Sequence, residues 1–533
     1  MQTDSAPAAS SATADDETRS DDVNALRRRP RWVSGVVGIV SSAAGLGVAQ
    51  IVAALIAPSA SPVVAIGSSM IDLAPRGVKD FAIEHFGEND KLALSIGVIA
   101  VLIPLSALIG VVAFRRVRLA YAMVTALGVL GAVAAMSRPD ASPASLLPAL
   151  VTVVVGILVL RALVNAAASD QQPDSSSTAG ATRRNVLIGA AAGGAIVTLG
   201  AGIAVDRLTK SDQALGRNRK LPAPADPAPA VPAGVQAKAN TATPWLTKNS
   251  KFYRVDTAFK VPRVNAKTWK LTVGGMVDKK VSLSYDDLLA MPLIERNITL
   301  ACVSNPVGGP YISNGTWTGV RLTDILDKAG VQSGADQLFS TSTDGWSAST
   351  PLATVTDGRD AMIAVGLNGQ QLAFERGFPA RMLVPGLYGF VSGTKWLTNI
   401  ELTTFAKATA YWTERGWADK SPIFTESRID VPKAFAQLPS GKVTVAGVAW
   451  AQNKGISKVE VRDKDGDWKV ATLAADGGKD VWRQWSVVLE LDAGRHDLQV
   501  RATDMTGMTQ TDQRAEPFPK GATGWHTITV TCA

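Results

Sequence analysis

ITLACVSNPVGG, residues 298–309, carries one of the two cysteines in this 533-residue chain. The apolar run before Cys302 reads as a strand, and Asn305–Pro306 with Gly308–Gly309 reads as a loop. A thiol at such a junction has four chemical readings: half of a disulfide, an inert buried thiol, a catalytic nucleophile, or a ligand to a soft metal centre. The second cysteine, Cys532, sits one residue from the carboxyl terminus, where chains fray, which argues against a bridge that an oxidising compartment would permit. A cysteine nucleophile requires a histidine base, and neither His496 nor His526 falls in the same sequence unit as Cys302. A soft metal centre requires only a thiolate and an enclosing pocket.

Two cysteines and three histidines, His85, His496 and His526, exclude a disulfide framework and a cysteine-rich zinc site. No HExxH is present, and a binuclear carboxylate–histidine centre would need more imidazoles than any one region offers. The formal charge of +8 does not form the basic stripe of a nucleic-acid binder. It collects beside apolar segments, at Arg27–Arg28–Arg29 with Arg31, at Arg115–Arg116 with Arg118, and at Arg183–Arg184. Spans of roughly 20 apolar residues cross a bilayer, and five such stretches occur at about 33–57, 92–114, 119–137, 145–166 and 186–205. With a cytoplasmic amino terminus all three basic clusters fall on the cytoplasmic side, and an odd number of crossings carries residues 206–533 outside.

The expected order is a disordered, acidic cytoplasmic tail (1–32), then a multi-pass anchor in the cell membrane (33–207), an all-α bundle of about five helices. A Pro/Ala-rich linker (208–245), including LPAPADPAPAVPAG, then lifts the outer half from the bilayer. Arg183–Arg184, before a mild apolar segment, reads equally as a cytoplasmic anchor and as an embedded twin-arginine export signal. Gly189 and Gly193 have small-xxx-small spacing. No histidine lies within the five spans, which excludes a bis-histidine haem in the bundle, and the absence of CxxCH leaves no haem expected in this chain.

Two units divide the outer half. Residues 246–432 mix strand-like stretches (WKLTVGGMV, ITLACV, ARMLVPG) with helix-like ones (LSYDDLLAM, RLTDILDKAGV), an α+β pattern. In both helical pieces a Ser or Thr precedes acidic residues, as at a helix start. Residues 433–533 change to short alternating strands separated by turn residues, the texture of a β-sandwich. Asp463, Asp465 and Asp467 suggest a calcium loop, but no acidic residue closes it, and Asp465–Gly466 reads as a hairpin turn.

Downstream of Cys302, FERGFPARMLVPGLYGFVSGTKWLTNIEL (374–402) spaces Arg376, Arg381 and Lys395 along glycine-, proline- and aromatic-rich loops. Separated cations of this kind suit the phosphate and polar rings of an elongated anionic cofactor. With FYRVDTAFKVPRVNAKTWKLTVGGMV, ITLACVSNPVGG, WTGVRLTDILDKAGV, GFPARMLVPGLYGFVSGTKWL and GATGWHTITV in this order, residues 250–533 resemble the sulfite oxidase family of molybdopterin enzymes. The resemblance implies that Cys302 is the thiolate that ligates molybdenum beside the pterin dithiolene. It places Arg254, Ser342, Arg376, Arg381, Gly393, Thr394 and Lys395 at cofactor-binding positions. Residues 433–533 then resemble the family's immunoglobulin-like dimerisation domain, which implies a homodimer.

Two departures bear on the substrate. Family members that oxidise sulfite carry an arginine shortly after the cysteine, where this chain has Pro306 and Val307. They carry an active-site tyrosine where YWTERGWADKSP puts Trp417, which cannot relay a proton as a phenol does. Arg415, or an arginine of the second domain, is the candidate replacement cation. The expected function is two-electron oxygen-atom transfer, either sulfite oxidation or reduction of a small-molecule or protein sulfoxide. Electrons would pass through a separate carrier, a cytochrome c or a quinone-linked membrane subunit. The rival expectation is a cofactor-free binding or assembly module that retains the fold.

Overall fold

The computed structural model describes residues 31–56, 58–86, 90–139, 141–168, 215–237 and 243–533. The chain forms two compact units, one of Met1–Ser211 with Ala258–Lys260 and one of Asp212–Thr257 with Val261–Ala533. In the first unit the helices are α1 (Arg31–Ile56), α2 (Pro62–Leu73), α3 (Arg76–Phe86), α4 (Asp90–Ala113), α5 (Val117–Met136) and α6 (Leu147–Ala168). Four segments, Arg31–Ile56, Lys91–Ala113, Val117–Met136 and Pro143–Ala167, are long and apolar enough to cross a membrane, and they coincide with the first four expected spans. The fifth, at 186–205, lies outside the described residues, as do Arg183–Arg184 and the tail before Arg31. Glycines bring the helices together. A Cβ on Gly38 would fall 2.0 Å from Ser106 O, and one on Gly45 would fall 2.6 Å from Thr152 O, so only glycine permits these backbone approaches. Leu92, Val101, Leu130, Val133 and Leu158 remain exposed on the outside, a surface suited to hydrocarbon rather than water.

The second unit begins with a departure from expectation. The proline–alanine segment is extended, but residues 215–237 are not a free spacer. Ala225 N–H donates to Leu293 O at 2.8 Å, and Asp226 bridges to Ile294. The Asp226 carboxylate accepts from both Arg296 and Arg321, each at 2.6 Å, and those two arginines are joined again through Asp360. Their hydrogen bonds pull the Asp226 carboxyl down to about 2. Further along, Gly234 O accepts from Ala475 N–H at 3.0 Å, and Ala237 N–H donates to Gln484 Oε1 at 2.5 Å. The segment is therefore a strap fixed at one end to the α+β part and at the other to the sandwich.

One mixed and one antiparallel sheet build the α+β part. One orders Val281–Ser284, Lys270–Gly275, Leu397–Thr403, Gln337–Ser342 and Ser347–Pro351; the other orders Leu293–Ala301, Ile312–Arg321, Met362–Leu367 and Gln370–Gln371, with Arg381–Leu383 also on Met362–Leu367. The helix Tyr285–Ala290 starts with a capping box in which Ser284 Oγ accepts from Asp287 N and the Asp287 carboxylate accepts from Ser284 N. The helix Leu322–Ala329 has Arg321 at its N-cap with no side-chain cap, and ends at Gly330 in the left-handed conformation.

The last domain is a β-sandwich. Its sheets, Glu426–Val431, Gly441–Trp450, Arg483–Leu491, Thr472–Leu473 and Gln437–Leu438, His526–Cys532, Gly494–Asp504, Ile456–Asp463, Lys469–Val470, enclose one core that includes Val445, Val459, Trp485, Val500 and Val530. Its first strand begins at Glu426, before the expected boundary at 432, because that strand pairs with Gly441–Trp450. The Asp465–Gly466 turn joins Ile456–Asp463 to Lys469–Val470, as a hairpin requires.

Glu426 is buried, its Oε1 lacks a hydrogen-bond partner, and burial pushes its carboxyl up to about 8. In the unfolded chain the same group titrates near 4.5. The folded state therefore keeps a proton that the unfolded state releases, and native stability falls as pH rises from about 4.5 to about 8. Glu426→Gln removes that penalty. Its unfolding free energy, measured by denaturant titration, should match the parent at pH 4 and exceed it at pH 8 by on the order of 2–4 kcal/mol. An equal difference at both pH values would show that Glu426 is not the titrating group.

Candidate functional site around Cys302

Cys302 follows the last residue of the strand Leu293–Ala301, and its N–H donates to Tyr311 O at 3.0 Å. The turn closes on itself: Asn305 N–H donates to Cys302 O at 3.1 Å, Gly309 N–H to Pro306 O at 2.8 Å, and Tyr311 N–H to Asn305 Oδ1 at 2.8 Å. Cys302 Sγ shares a hydrogen bond of 2.9 Å with Ser304 Oγ. The residue keeps intermediate exposure, yet the surrounding protein raises its thiol, opposed by Ser304 and by the charge of Lys395. Cys532 is buried in the final strand, and both cysteines are free.

The expected cations converge on this side of the fold. Arg381 is buried, lies over the Trp317 ring at 5.2 Å, and donates through Nη1 to Arg376 O at 3.4 Å and through Nη2 to Gly393 O at 3.3 Å. Its Nε is buried without a partner, and no carboxylate pairs with it among the described residues. Burial pulls it down to about 10, with Arg376 acting in the same direction and Tyr253 opposing. Lys395 Nζ donates to Asp256 Oδ2 at 2.9 Å, and burial pulls the amine down to about 8 despite that partner, with Arg381 and Arg254 adding repulsion. Arg254 Nε donates to the same Asp256 oxygen at 2.9 Å. Arg376 Nη1 donates to Tyr253 O at 2.6 Å. Glycine makes the crowding possible. At Gly377, φ is +106° and a Cβ would fall 3.0 Å from the Lys395 Cα and 3.1 Å from the Arg381 Cβ.

The remaining expected residues differ in what their side chains do. Ser342 Oγ donates to Asp344 Oδ1 at 2.5 Å, and Asp344 is raised by burial, with Asp256 adding to the effect, so this turn belongs to the same neighbourhood. Gly393 leaves room for Arg381: a Cβ there would fall 3.1 Å from Nη2. Thr394 is buried on the loop between Gly393 and Lys395, with its hydroxyl sharing a hydrogen bond of 2.6 Å with Ser340 Oγ. Trp417 joins an aromatic wall, 5.3 Å from Phe518, 5.7 Å from Phe390 and 6.1 Å from Trp412 between ring centres. That wall shares an apolar cluster with Ala301 and Val303, the neighbours of Cys302.

Neither replacement cation faces that wall as a free charge. Arg415 lies over the Tyr411 ring at 3.6 Å and donates to Tyr411 O at 2.7 Å. Arg428, from the sandwich, pairs with Asp430 at 2.7 Å and donates to Gly309 O at 2.8 Å. Four residues around this site were not assigned to it by number from the sequence: Tyr253, Asp256, Arg428 and His526. Asp256 could have been found as a counter-ion two residues from Arg254. Tyr253 is held far above its ordinary range by burial and then by Cys302, while Arg381 and Arg376 oppose this. His526 was expected to be remote from the cysteine; it packs instead on Gly308, six residues along the same turn.

The donor set fits an anionic, metal-bearing cofactor. A buried guanidinium with a free Nε, a buried amine and a partly buried arginine sharing the single carboxylate of Asp256, and one soft thiol carry an excess of positive charge that an anion would balance.

The model of the oxidoreductase molybdopterin binding domain matches residues 258–412. Human mitochondrial sulfite oxidase is 29% identical over 304 residues, 48% of this chain and 55% of that protein. An uncharacterized oxidoreductase, YuiH, from Bacillus subtilis is 34% identical over 149 residues, 28% of this chain and 72% of that protein. The crystal structure of the sulfane dehydrogenase SoxCD from Paracoccus pantotrophus aligns with a TM-score of 0.48 at 22% identity, covering 55% of this chain and 82% of that one. The chain spans about half the length of the sulfite oxidases it matches. By the domain match and the sequence relatives, the chain belongs to the sulfite oxidase family of molybdopterin oxidoreductases.

Proposed function

We propose that this chain is a membrane-anchored oxidoreductase whose second unit works on the extracytoplasmic side and transfers an oxygen atom to or from a small sulfur compound. The observation that carries the reading is the buried, under-compensated Arg381 beside Lys395 and Cys302. In this reading Cys302 provides the thiolate to molybdenum. Arg254, Arg376, Arg381 and Lys395 hold the anionic parts of molybdopterin, and Ser342, Gly393 and Thr394 shape the loops around it. When bound, the cofactor supplies a two-electron centre that exchanges one oxygen atom. Electrons pass through a separate carrier, a cytochrome c or a quinone-linked membrane subunit, and the immunoglobulin-like sandwich pairs two copies of the chain.

Between the two directions, the site favours reduction of an uncharged sulfoxide over oxidation of sulfite. An anion requires cationic contacts where it reacts. Here Pro306 and Val307 follow the cysteine, Arg428 is neutralised by Asp430, and Trp417 stands among Phe390, Trp412 and Phe518. Aromatic faces make favourable contacts with sulfur and with apolar substituents. Sulfoxide reduction consumes two electrons from the carrier and two protons, and releases water and the thioether.

Cys302→Ser should abolish molybdenum-dependent turnover while the protein stays folded, whereas a cofactor-free binding module would be unaffected. Arg381→Met should lower the molybdenum and pterin content of purified protein roughly 10-fold or more, measured by elemental analysis and pterin fluorescence. Full retention of both would remove Arg381 from the cofactor site. A reduced dye should be oxidised by the loaded enzyme with a dialkyl sulfoxide as acceptor, faster than sulfite reduces an artificial acceptor. The opposite ranking would restore sulfite as the substrate.

A further inference from the structure

The sandwich domain reaches the cysteine turn at two points. Gly308 has φ of +78°, and a Cβ there would fall 2.1 Å from His526 Cδ2 and 2.2 Å from Nε2. The imidazole therefore occupies the space a side chain at 308 would need. The ring is itself fixed, because its Nδ1 accepts from Ile429 N–H at 3.0 Å, which leaves the proton on Nε2. One residue on, Gly309 O accepts from Arg428 Nη1 at 2.8 Å, and Arg428 is oriented by Asp430 Oδ1 at 2.7 Å. The strand leading into Cys302 is gripped from the same domain, since Trp482 N–H donates to Thr299 Oγ1 at 2.8 Å and Gln452 Nε2 to Thr299 O at 3.0 Å.

The geometry points to His526 and Arg428 as positioning residues: through Gly308 and Gly309 the sandwich holds the 302–309 turn, and so sets the direction of the Cys302 thiol and the placement of Pro306 and Val307 beside it. Its consequence for catalysis rests on Cys302 being the metal thiolate; its consequence for the thiol does not. Burial, with Arg428 and Arg514 adding positive charge and Asp430 opposing, holds His526 down to about 4, so the ring stays neutral and its contact with the turn is steric rather than ionic. A second domain thereby determines the reach of a residue in the first, as outer-shell groups do at metal sites.

Two measurements separate the inference from the cofactor reading. In full-length, molybdenum-free protein carrying Cys532→Ser, the alkylation rate with iodoacetamide reports Cys302 alone. His526→Ala should raise that rate, and His526→Asn, whose amide oxygen can accept from Ile429 N–H, should return it towards the parent. Gly308→Ala should also raise it, and adding His526→Ala should relieve part of that effect, a non-additivity expected of groups in contact. In loaded protein, His526→Ala should change the molybdenum(V) spin-resonance signal and lower kcat roughly tenfold with a smaller change in KM. Equal alkylation rates in parent and folded His526→Ala, or no recovery with His526→Asn, would overturn the inference whatever the metal content. Where His526→Ala does not fold, Arg428→Lys provides the same comparison, with the same two outcomes. Parent protein without molybdenum would instead overturn the cofactor reading and leave the alkylation comparison decisive for the turn.

Discussion

A guanidinium buried with only backbone carbonyls for partners is costly, and Arg381 is in that position. Its two acceptors lie at 3.3 and 3.4 Å, and its Nε has none. Removing a charge from water without pairing it is among the largest unfavourable terms in a protein, so such an arrangement persists where something else depends on it. Much of the surrounding chain is organised to allow it. Gly377 and Gly393 clear room for the side chain, Trp317 offers its ring face, and Asp256 holds Lys395 and Arg254 at its flank. The two sheets deliver the pieces from different strands. Cys302 follows the end of one strand, Arg381 opens a second in the same sheet, and Lys395 precedes a strand of the other.

The same requirement explains why the second unit is stitched so firmly. A site assembled from several strand ends and one turn loses its geometry if its parts shift by about an ångström. The strap, the Asp226–Arg296–Asp360–Arg321 cluster and the sandwich contacts on Thr299, Gly308 and Gly309 all restrain the elements that carry the site. The exposed ion pairs in that cluster add modestly to stability individually. Their role is geometric: they tie residue 226 to both strands flanking the cysteine turn.

What could be read in the sequence was what local physics determines. Apolar length marked the first four membrane-type helices, Ser284 with Asp287 marked a helix start, and Asp465–Gly466 marked a hairpin. The lone cysteine with spaced cations marked the site. What escaped depends on partners distant in the chain. A proline–alanine segment has no hydrophobic period, so nothing local distinguishes a spacer from a strap; only Arg296 and Arg321 make Asp226 an anchor. The strand Glu426–Val431 has no local mark of the sandwich, because the partner it pairs with, Gly441–Trp450, lies beyond a turn. His526 looked remote because sequence distance conceals that Gly308 is shaped to receive its ring.

The two sides of Cys302 are chemically unlike, and that contrast bears on mechanism more than any single residue. On one side stand Arg381, Lys395, Arg254 and Arg376, with burial lowering the proton affinity of Arg381 and Lys395. On the other stand Trp417, Phe518, Phe390 and Trp412, with the arginine of the second domain neutralised by Asp430. A cofactor that brings its own negative charge satisfies the first side. In the proposed reading, an anionic substrate would meet the repulsion of that charge and, among the described residues, an Arg428 already paired with Asp430, whereas a neutral molecule would not be repelled. Pro306 and Val307 lie on the same turn, between Cys302 and the two glycines that meet His526 and Arg428, so in the proposed reading the substrate preference and the thiol depend on the same eight residues.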